Sequence, residues 1–309
     1  MATILITGGT GMIGTRLTEM LADRGYDVII LTRDTTKHHP SPGVSYANWD
    51  IDAQAIDRDA IGKADHIIHL AGAGVADKRW SQARKQEILR SRTESSALIV
   101  KALKEYPNKV QSVISSSAIG WYGPDTPRSL KEGFTEEAPA DTAFLGETCR
   151  QWEASIEPVT GLGKRLVKLR TGIVLSDRGG ALAEFRKPVM GGVAAILGNG
   201  NQVVSWIHVE DLCSMFLFAV ENHSLAGAYN AVAPNPVTNK TLTLTIAQKL
   251  RGRFYIPVYV PAFVLKIVLG EMSIEVLKSA HVSARKIQQA GFDFSYPVID
   301  KALDHLLAG

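Results

Sequence analysis

The chain's 309 residues are 45% hydrophobic and 21% charged, the balance of a soluble globular protein with room for one large domain or a domain plus an appended lobe. A net charge of +3 without blocks of like charge gives no compositional support to nucleic-acid or acidic-membrane binding. Two cysteines, Cys149 and Cys213, exclude a disulfide framework, and no His/Cys/Glu spacing suits a metal, so none is expected.

Ala2-Thr3-Ile4-Leu5-Ile6 reads as a buried parallel strand. Thr7 to Gly14 follow as a glycine loop, and then Thr15 to Gly25 as a helix with Leu17, Met20 and Leu21 at helical spacing and Gly25 as its stop. Strand, glycine loop and helix together point to a dinucleotide site. Gly8 allows the tight turn, Gly11 lets backbone approach a pyrophosphate, and Gly14 lets helix and strand pack closely, with free N–H groups facing the phosphates. A second strand, Tyr26 to Leu31, ends in Thr32-Arg33 where an NAD-selective site usually places a carboxylate. The Arg33 guanidinium suits a 2′-phosphate, which favours NADP(H); Asp34, two residues late, is the alternative that would favour NAD.

Further strands follow at Val44–Asp50, His66–Gly72, Val110–Ser117 and Arg165–Arg170, with helices from about Ser81 to Glu105 and from Glu147 to about Thr160. This alternation predicts an α/β fold, a doubly wound parallel sheet with ligands at the carboxyl ends of the strands. Residues 1–170 form the expected cofactor domain and 171–309 a smaller lobe over the sheet's open end, with some segments returning to the sheet. Within that lobe, 257–309 carries helical periodicity at Met272–Leu277 and Val298–Leu307 and a strand or turn at Gly291–Tyr296. The start leads straight into a strand without a signal peptide, and apolar Val258–Leu269, interrupted by Pro261 and Lys266, is too short to span a bilayer; a cytoplasmic location is expected.

The glycine loop and Ser115-Ser116-Ser117-Ala118-Ile119-Gly120-Trp121-Tyr122-Gly123 resemble the extended short-chain dehydrogenase/reductases, the sugar-nucleotide epimerase/dehydratase superfamily. Several runs resemble its atypical "epimerase family" branch, with a characteristic C-terminal domain and largely unknown function. They are Leu70-Ala71-Gly72 with Lys78-Arg79-Trp80, Ser91-Arg92, Leu169 to Leu175, and Ser205-Trp206-Ile207-His208. The resemblance implies a Rossmann-like fold, bound NADP(H), a substrate cleft between lobes, and an open expectation of a homodimer. The expected cofactor-binding residues are Gly8, Thr10, Gly11, Met12, Ile13, Gly14, Thr32, Arg33, Trp49, Asp50, Leu70, Ala71, Gly72, Ser115, Thr171 and Gly172.

In typical relatives a Ser polarises the reacting oxygen, while a Tyr and a Lys in Tyr-x-x-x-Lys supply the acid/base. Ser117 matches the serine. The helix that should carry the other two reads Phe144-Leu145-Gly146-Glu147-Thr148-Cys149-Arg150, so that machinery is missing. Tyr122 is a candidate proton donor, with packing or substrate shaping as its alternative. Glu147, Cys149 and Arg150 are weighed against simple surface roles. Arg79 and Trp80, with Arg92, suit an anionic or planar substrate or else a solvated helix face. Trp121, Gln202 and Trp206 are expected to shape the substrate site, Gln202 and Trp206 with Ser205 as lid candidates. His208 is a general-base candidate against a structural role, and His38-His39 a solvated loop. Two functions stand: an oxidoreductase or isomerase acting on a small, nucleotide-sugar-like or other substrate, and a noncatalytic NADP(H)-responsive binding protein.

Overall fold

Ile4, Leu5 and Ile6 are wholly buried, as a parallel strand covered on both faces requires. The computed structural model describes residues 2–308. Its first half runs β1 (Thr3–Thr7), α1 (Met12–Asp23), β2 (Asp27–Thr32), β3 (Val44–Asp50), β4 (Ala55–Ile56), α2 (Arg58–Lys63), β5 (His66–His69), α3 (Gln82–Glu105), β6 (Ser112–Ala118), α4 (Pro127–Glu132), α5 (Phe144–Ile156) and β7 (Arg165–Thr171). The second half begins with β8 (Ile173–Ser176), β9 (Gly179–Gly180), α6 (Ala181–Met190), β10 (Val193–Leu197), β11 (Val203–Val204), β12 (Trp206–His208) and α7 (Val209–Glu221). It continues through β13 (Gly227–Ala231), β14 (Val237–Thr238), α8 (Asn239–Arg251), β15 (Ile256–Val260), α9 (Ala262–Leu269), α10 (Ser273–Leu277), α11 (Arg285–Gln289) and α12 (Ile299–Leu307).

The main sheet has the order β13-β7-β6-β5-β1-β2-β3-β4 and is parallel except for the β3–β4 pair. The fold is Rossmann-like: the chain starts in mid-sheet, moves outward through β2 and β3, then crosses back over β1 to β5. That reversal opens a crevice at the carboxyl ends of β1 and β5. One face of the sheet packs Ile4, Ile6 and Ile68 against α1 and α7; the other packs Leu5, Ile67 and Val113 against α2 and α3. A third core, with Leu182, Trp206, Leu242 and Leu303, holds α6, α8 and α12 together in the lobe. β13, from the second half of the chain, is the sheet's outermost strand beside β7.

Local chemistry explains where observed elements depart from expectation. The helix expected from Glu147 starts at Phe144 and stops at Ile156, then tightens into a 3₁₀ turn over Glu157–Leu162. Pro158 lacks an N–H for the α-helical ladder and forces that change. Gly291–Tyr296 is irregular chain that leaves a turn at Gly291 and is fixed by Ser295 and Tyr296 N–H groups donating to Asp211. Between β2 and β3 no α-helix forms; a 3₁₀ turn at Thr35–Lys37 precedes Pro40 and Pro42. The sheet face at Ile30, Val44 and Tyr46 is therefore without a covering α-helix, with His38 stacked on Tyr46 and Val44 and Tyr46 left half-buried. It floors a groove of about 580 Å³ that reaches Gly9 and Thr10 of the glycine loop. Among the described residues, no helix is long and apolar enough to cross a membrane.

Candidate functional site

The crevice is bolted at its base. Thr7 Oγ1 accepts from the N–H groups of Leu70 and Ala71, each at 3.2 Å, and meets His69 Nδ1 at 2.7 Å. His69 Nε2 in turn contacts Ser96 at 3.1 Å and Ser95 at 3.3 Å. Complete burial pushes the imidazole down to about 3, so it is neutral and joins β1, β5 and α3 as a hydrogen-bonding post.

Above this post lies the glycine loop. Gly8 has φ +70°, and a Cβ there would meet the Leu70–Ala71 backbone. A Cβ on Gly14 would collide with the Gly8 carbonyl and Gly9 backbone, so α1 packs on the loop only because position 14 is glycine. Gly11 caps α1 without a side chain, and no acidic residue occupies its first turn. The N-terminal N–H groups are thus available to an anion beside exposed Thr10 and half-buried Met12 and Ile13. This cradle fits a dinucleotide pyrophosphate.

At the end of β2, Arg33 is exposed and pairs with no carboxylate among the described residues, whereas Asp34 is engaged locally. Its carboxylate accepts from Thr36 N–H at 3.0 Å and Thr36 Oγ1 at 2.6 Å, and it pairs with Lys37 at 3.2 Å. Those donors hold the Asp34 carboxyl below its usual range. Half-buried Thr32 accepts from Asp34 N–H. Trp49 requires correction as a cofactor contact: its side chain belongs to the core with Ile56 and Ala60. Exposed Asp50 accepts from Ala53 N–H. Gly72 is exposed beside the Arg92 guanidinium. Ser115 is buried and donates to the Ser116 carbonyl, Thr171 donates to the Leu169 carbonyl, and Gly172 is packed under the Ser205 backbone.

The expected catalytic pair also requires correction. Ser117 is 1% exposed and donates to Glu153 Oε1 at 2.8 Å. Glu153 simultaneously accepts from Arg170 Nε at 2.8 Å and Nη2 at 3.1 Å. Arg170 Nη1 donates to the Tyr122 hydroxyl, which donates to Asn230 Oδ1 at 2.6 Å. Tyr122 is fully buried, stacks on Phe134, and burial pushes its phenol up to about 12. Both hydroxyls are spent inside the protein, and neither presents a proton to the crevice. Trp121 covers this network with its ring 3.6 Å from the Arg170 guanidinium, and its indole N–H donates to the Ala138 carbonyl.

Two lid candidates are corrected as well. Trp206 is buried in the lobe core and donates to the Asn235 carbonyl. Gln202 is 7% exposed, and its amide donates to the Leu197 and Val276 carbonyls. With Ser205, which donates to the Ala280 carbonyl and accepts from Val282 N–H, Gln202 fastens the C-terminal segment down. His208 accepts from Glu210 N–H, meets His305 at 3.1 Å and stacks on Tyr296; burial pushes it down to about 4. Arg150 holds the exposed Glu147 carboxyl at about 2, and burial raises the Cys149 thiol to about 12. None of these three is poised for proton transfer or attack near neutral pH.

What the structure does bring together is Trp80, Phe144, Lys85 and Arg79. Trp80 meets Phe144 edge-on at 5.0 Å, the Lys85 ammonium lies 5.2 Å from the Phe144 ring centroid, and Lys85 pairs with Glu271. Arg79 reaches Gly270 in the turn after α9. That C-terminal strap is also tied to the loop after β6 by Asp125, which accepts from Ser279 Oγ and His281 N–H, and by Lys278, which donates to the Tyr122 carbonyl. Arg92 donates to the Ala73 and Ile88 carbonyls, lies over Trp152, and has no carboxylate partner among the described residues. Glu153 was not anticipated. Its signal was its place on the buried face of α5 with Cys149, Trp152 and Ile156, where a lone carboxylate calls for a cation.

Residues 4–144 match the NAD dependent epimerase/dehydratase family, and residues 260–306 match a domain of unknown function, DUF1731. An epimerase family protein of Bacillus subtilis, YfhF, is 35% identical over 306 residues, covering 99% of this chain and 98% of the relative. The crystal structure of human epimerase family protein SDR39U1 with NADPH superposes with a TM-score of 0.87 at 30% identity, covering 99% of both chains. A UDP-N-acetylglucosamine 4-epimerase from Bacillus cereus superposes at 0.76 with 17% identity, covering 99% of this chain and 98% of the other, a likeness of fold alone. The open dinucleotide cradle, the strap and these full-length matches agree: the chain belongs to the epimerase family, NAD(P)-binding proteins of the epimerase/dehydratase group with a DUF1731 C-terminal domain.

Proposed function

We propose that the protein binds NADP(H) and acts as an atypical oxidoreductase or isomerase on a small anionic substrate, without the Ser-Tyr-Lys machinery of its superfamily. The observation that carries the cofactor reading is the uncapped α1 terminus over the Gly8–Gly14 cradle. Bound NADPH would supply a hydride. Arg33 would take the 2′-phosphate, supported by the local engagement of Asp34 and by the NADPH in the crystal structure of the human relative. Arg92, fixed by two carbonyls and without a carboxylate partner among the described residues, is suited to hold an anionic group near Gly72. Trp80 and Phe144 offer an apolar corner of two crossed rings, and Lys85 brings a proton-bearing group to the same edge.

A noncatalytic, NADP(H)-responsive role is the second reading, favoured by the inward hydrogen bonds of Ser117 and Tyr122. The two separate when the NADPH-loaded protein is offered aldehydes, ketones and nucleotide sugars while nicotinamide absorbance is followed. Turnover that survives Ser117→Ala but falls with Arg92→Ala supports the enzyme. No turnover, with partner binding that depends on NADPH, sinks it. For the cofactor, Arg33→Ala is expected to weaken NADPH by about tenfold while sparing NADH, as loss of a charge-assisted phosphate contact requires. Equal losses for both would refute the 2′-phosphate role.

A further inference from the structure

Residues 251–270 form a surface unlike the rest of the molecule. They contain Arg251, Arg253 and Lys266 and no acidic residue. Eight of the twelve large hydrophobic side chains exposed among the described residues fall between 254 and 274. Phe254, Ile256 and Val258 alternate along the strand region, with Phe254 87% exposed. Phe263 and Ile267 follow one turn apart on α9, at 66% and 69% exposure, with Val268 beside them; Leu265 is the buried anchor of that helix. Isolated exposed hydrophobics are ordinary, but a run of this density, interspersed between 251 and 270 with cations alone, marks an interaction surface.

Strand addition at this edge is disfavoured. Ile256 N–H donates to Gly192, and Val260 accepts from Gly198 N–H, so these residues face β10 and Pro257 faces outward without an N–H. Proline there blunts the edge. A second copy is disfavoured by charge, because a two-fold contact would place two sets of the same three cations in one interface. None of the three has a carboxylate partner among the described residues, while bordering acids are already paired: Glu184 with Lys187, Glu271 with Lys85, and Glu275 with Lys278. The surface therefore combines apolar side chains with uncompensated positive charge, the complement of an anionic bilayer's interface.

We propose that β15 and α9 form a reversible docking surface for anionic lipid membranes, with Phe254, Phe263 and Ile267 entering the headgroup–acyl boundary and Arg251, Arg253 and Lys266 meeting lipid phosphates. No span is involved: α9 has eight residues and lies along the interface. β15 pairs with β10, and neither it nor α9 supplies a residue of the Gly8–Gly14 cradle, so the docking does not rest on the proposed reaction.

The test is co-sedimentation of the full chain with phosphatidylcholine vesicles with and without phosphatidylglycerol, at low and high salt. Partition is expected to be roughly tenfold or more higher on the anionic vesicles and to fall with salt. The double variant Phe263→Glu/Ile267→Glu should abolish it, and Arg253→Glu/Lys266→Glu should remove the preference for anionic lipid. Both should retain NADPH affinity, which reports that they fold. Absent partition, equal partition on neutral vesicles, or a dimer in sedimentation that Phe263→Glu dissociates would each overturn the proposal, the last by identifying a second copy as the occupant.

Discussion

Ser117 and Tyr122 show how little a residue's type says about its use. Ser117 matches the serine of catalytic relatives and Tyr122 stands nearby as a candidate substitute donor, yet both are consumed by the buried chain Ser117–Glu153–Arg170–Tyr122–Asn230. Glu153 and Arg170 are 6% and 3% exposed, so their pairing offsets a heavy desolvation cost more than it adds net stability. Removing one partner is another matter. Glu153→Leu should leave a buried guanidinium without its carboxylate and lower unfolding free energy by about 3–5 kcal/mol, read by chemical denaturation. Tyr122→Phe should cost about 1–3 kcal/mol, because Asn230 and Arg170 lose a shared partner, while NADPH affinity stays unchanged. A Tyr122→Phe protein of unaltered stability but impaired cofactor binding or turnover would contradict the structural role. Burial was not legible from the motif around Ser117, since it depends on Glu153 and Arg170, and Asn230 lies 108 residues beyond Tyr122. The surroundings of Arg79 and Trp80 were hidden for the same reason, since Phe144 and Gly270 reach them from far along the chain.

Elements were legible in proportion to how local their causes are. Strands β1 and β2 are apolar runs bounded by glycine or helix signals, β5 and β6 carry β-branched cores between small or polar residues, and the sheet's first half follows from them. The glycine loop could be read for the same reason: strand, turn and helix are contiguous. The lobe was opaque because β11, β12 and β14 have two or three residues each and exist through distant partners, such as Val203 with Thr238. At this scale the sharpest prediction is Gly14→Ala. The added methyl would meet the Gly8 carbonyl, push α1 from its loop and destabilise by about 1–3 kcal/mol, with NADPH affinity down by about tenfold or more. Calorimetry with and without NADPH separates the two effects; an unchanged affinity would show that the loop does not hold the pyrophosphate.

Across the whole molecule, buried histidines tie elements together while uncharged. His69 joins β1, β5 and α3, and His208 joins α7 to α12. Their values of about 3 and about 4 lie below the 6.5 of the unfolded chain. Above pH 6.5 both states leave these rings neutral; below it the unfolded chain takes up protons that the folded one refuses. Stability should therefore hold at neutral pH and fall as pH drops through the 6.5-to-4 interval, with His69 extending the loss toward 3. Denaturant midpoints against pH would show this, and His208→Gln should flatten the slope; a wild-type midpoint constant down to pH 4 would contradict it.

The missing helix between β2 and β3 bears on residence time. The groove floored by Ile30, Val44 and Tyr46 leaves the Gly9–Thr10 side of the cradle open to solvent rather than roofed by chain. A dinucleotide seated there has an exit that needs no unfolding, so bound and free cofactor should exchange readily. We expect NADPH to separate from the protein on gel filtration, with occupancy following the surrounding pool; co-elution in stoichiometric amount would show a trapped cofactor instead. Such a chain would charge and discharge with the reducing state of its surroundings, sampling that state at each encounter.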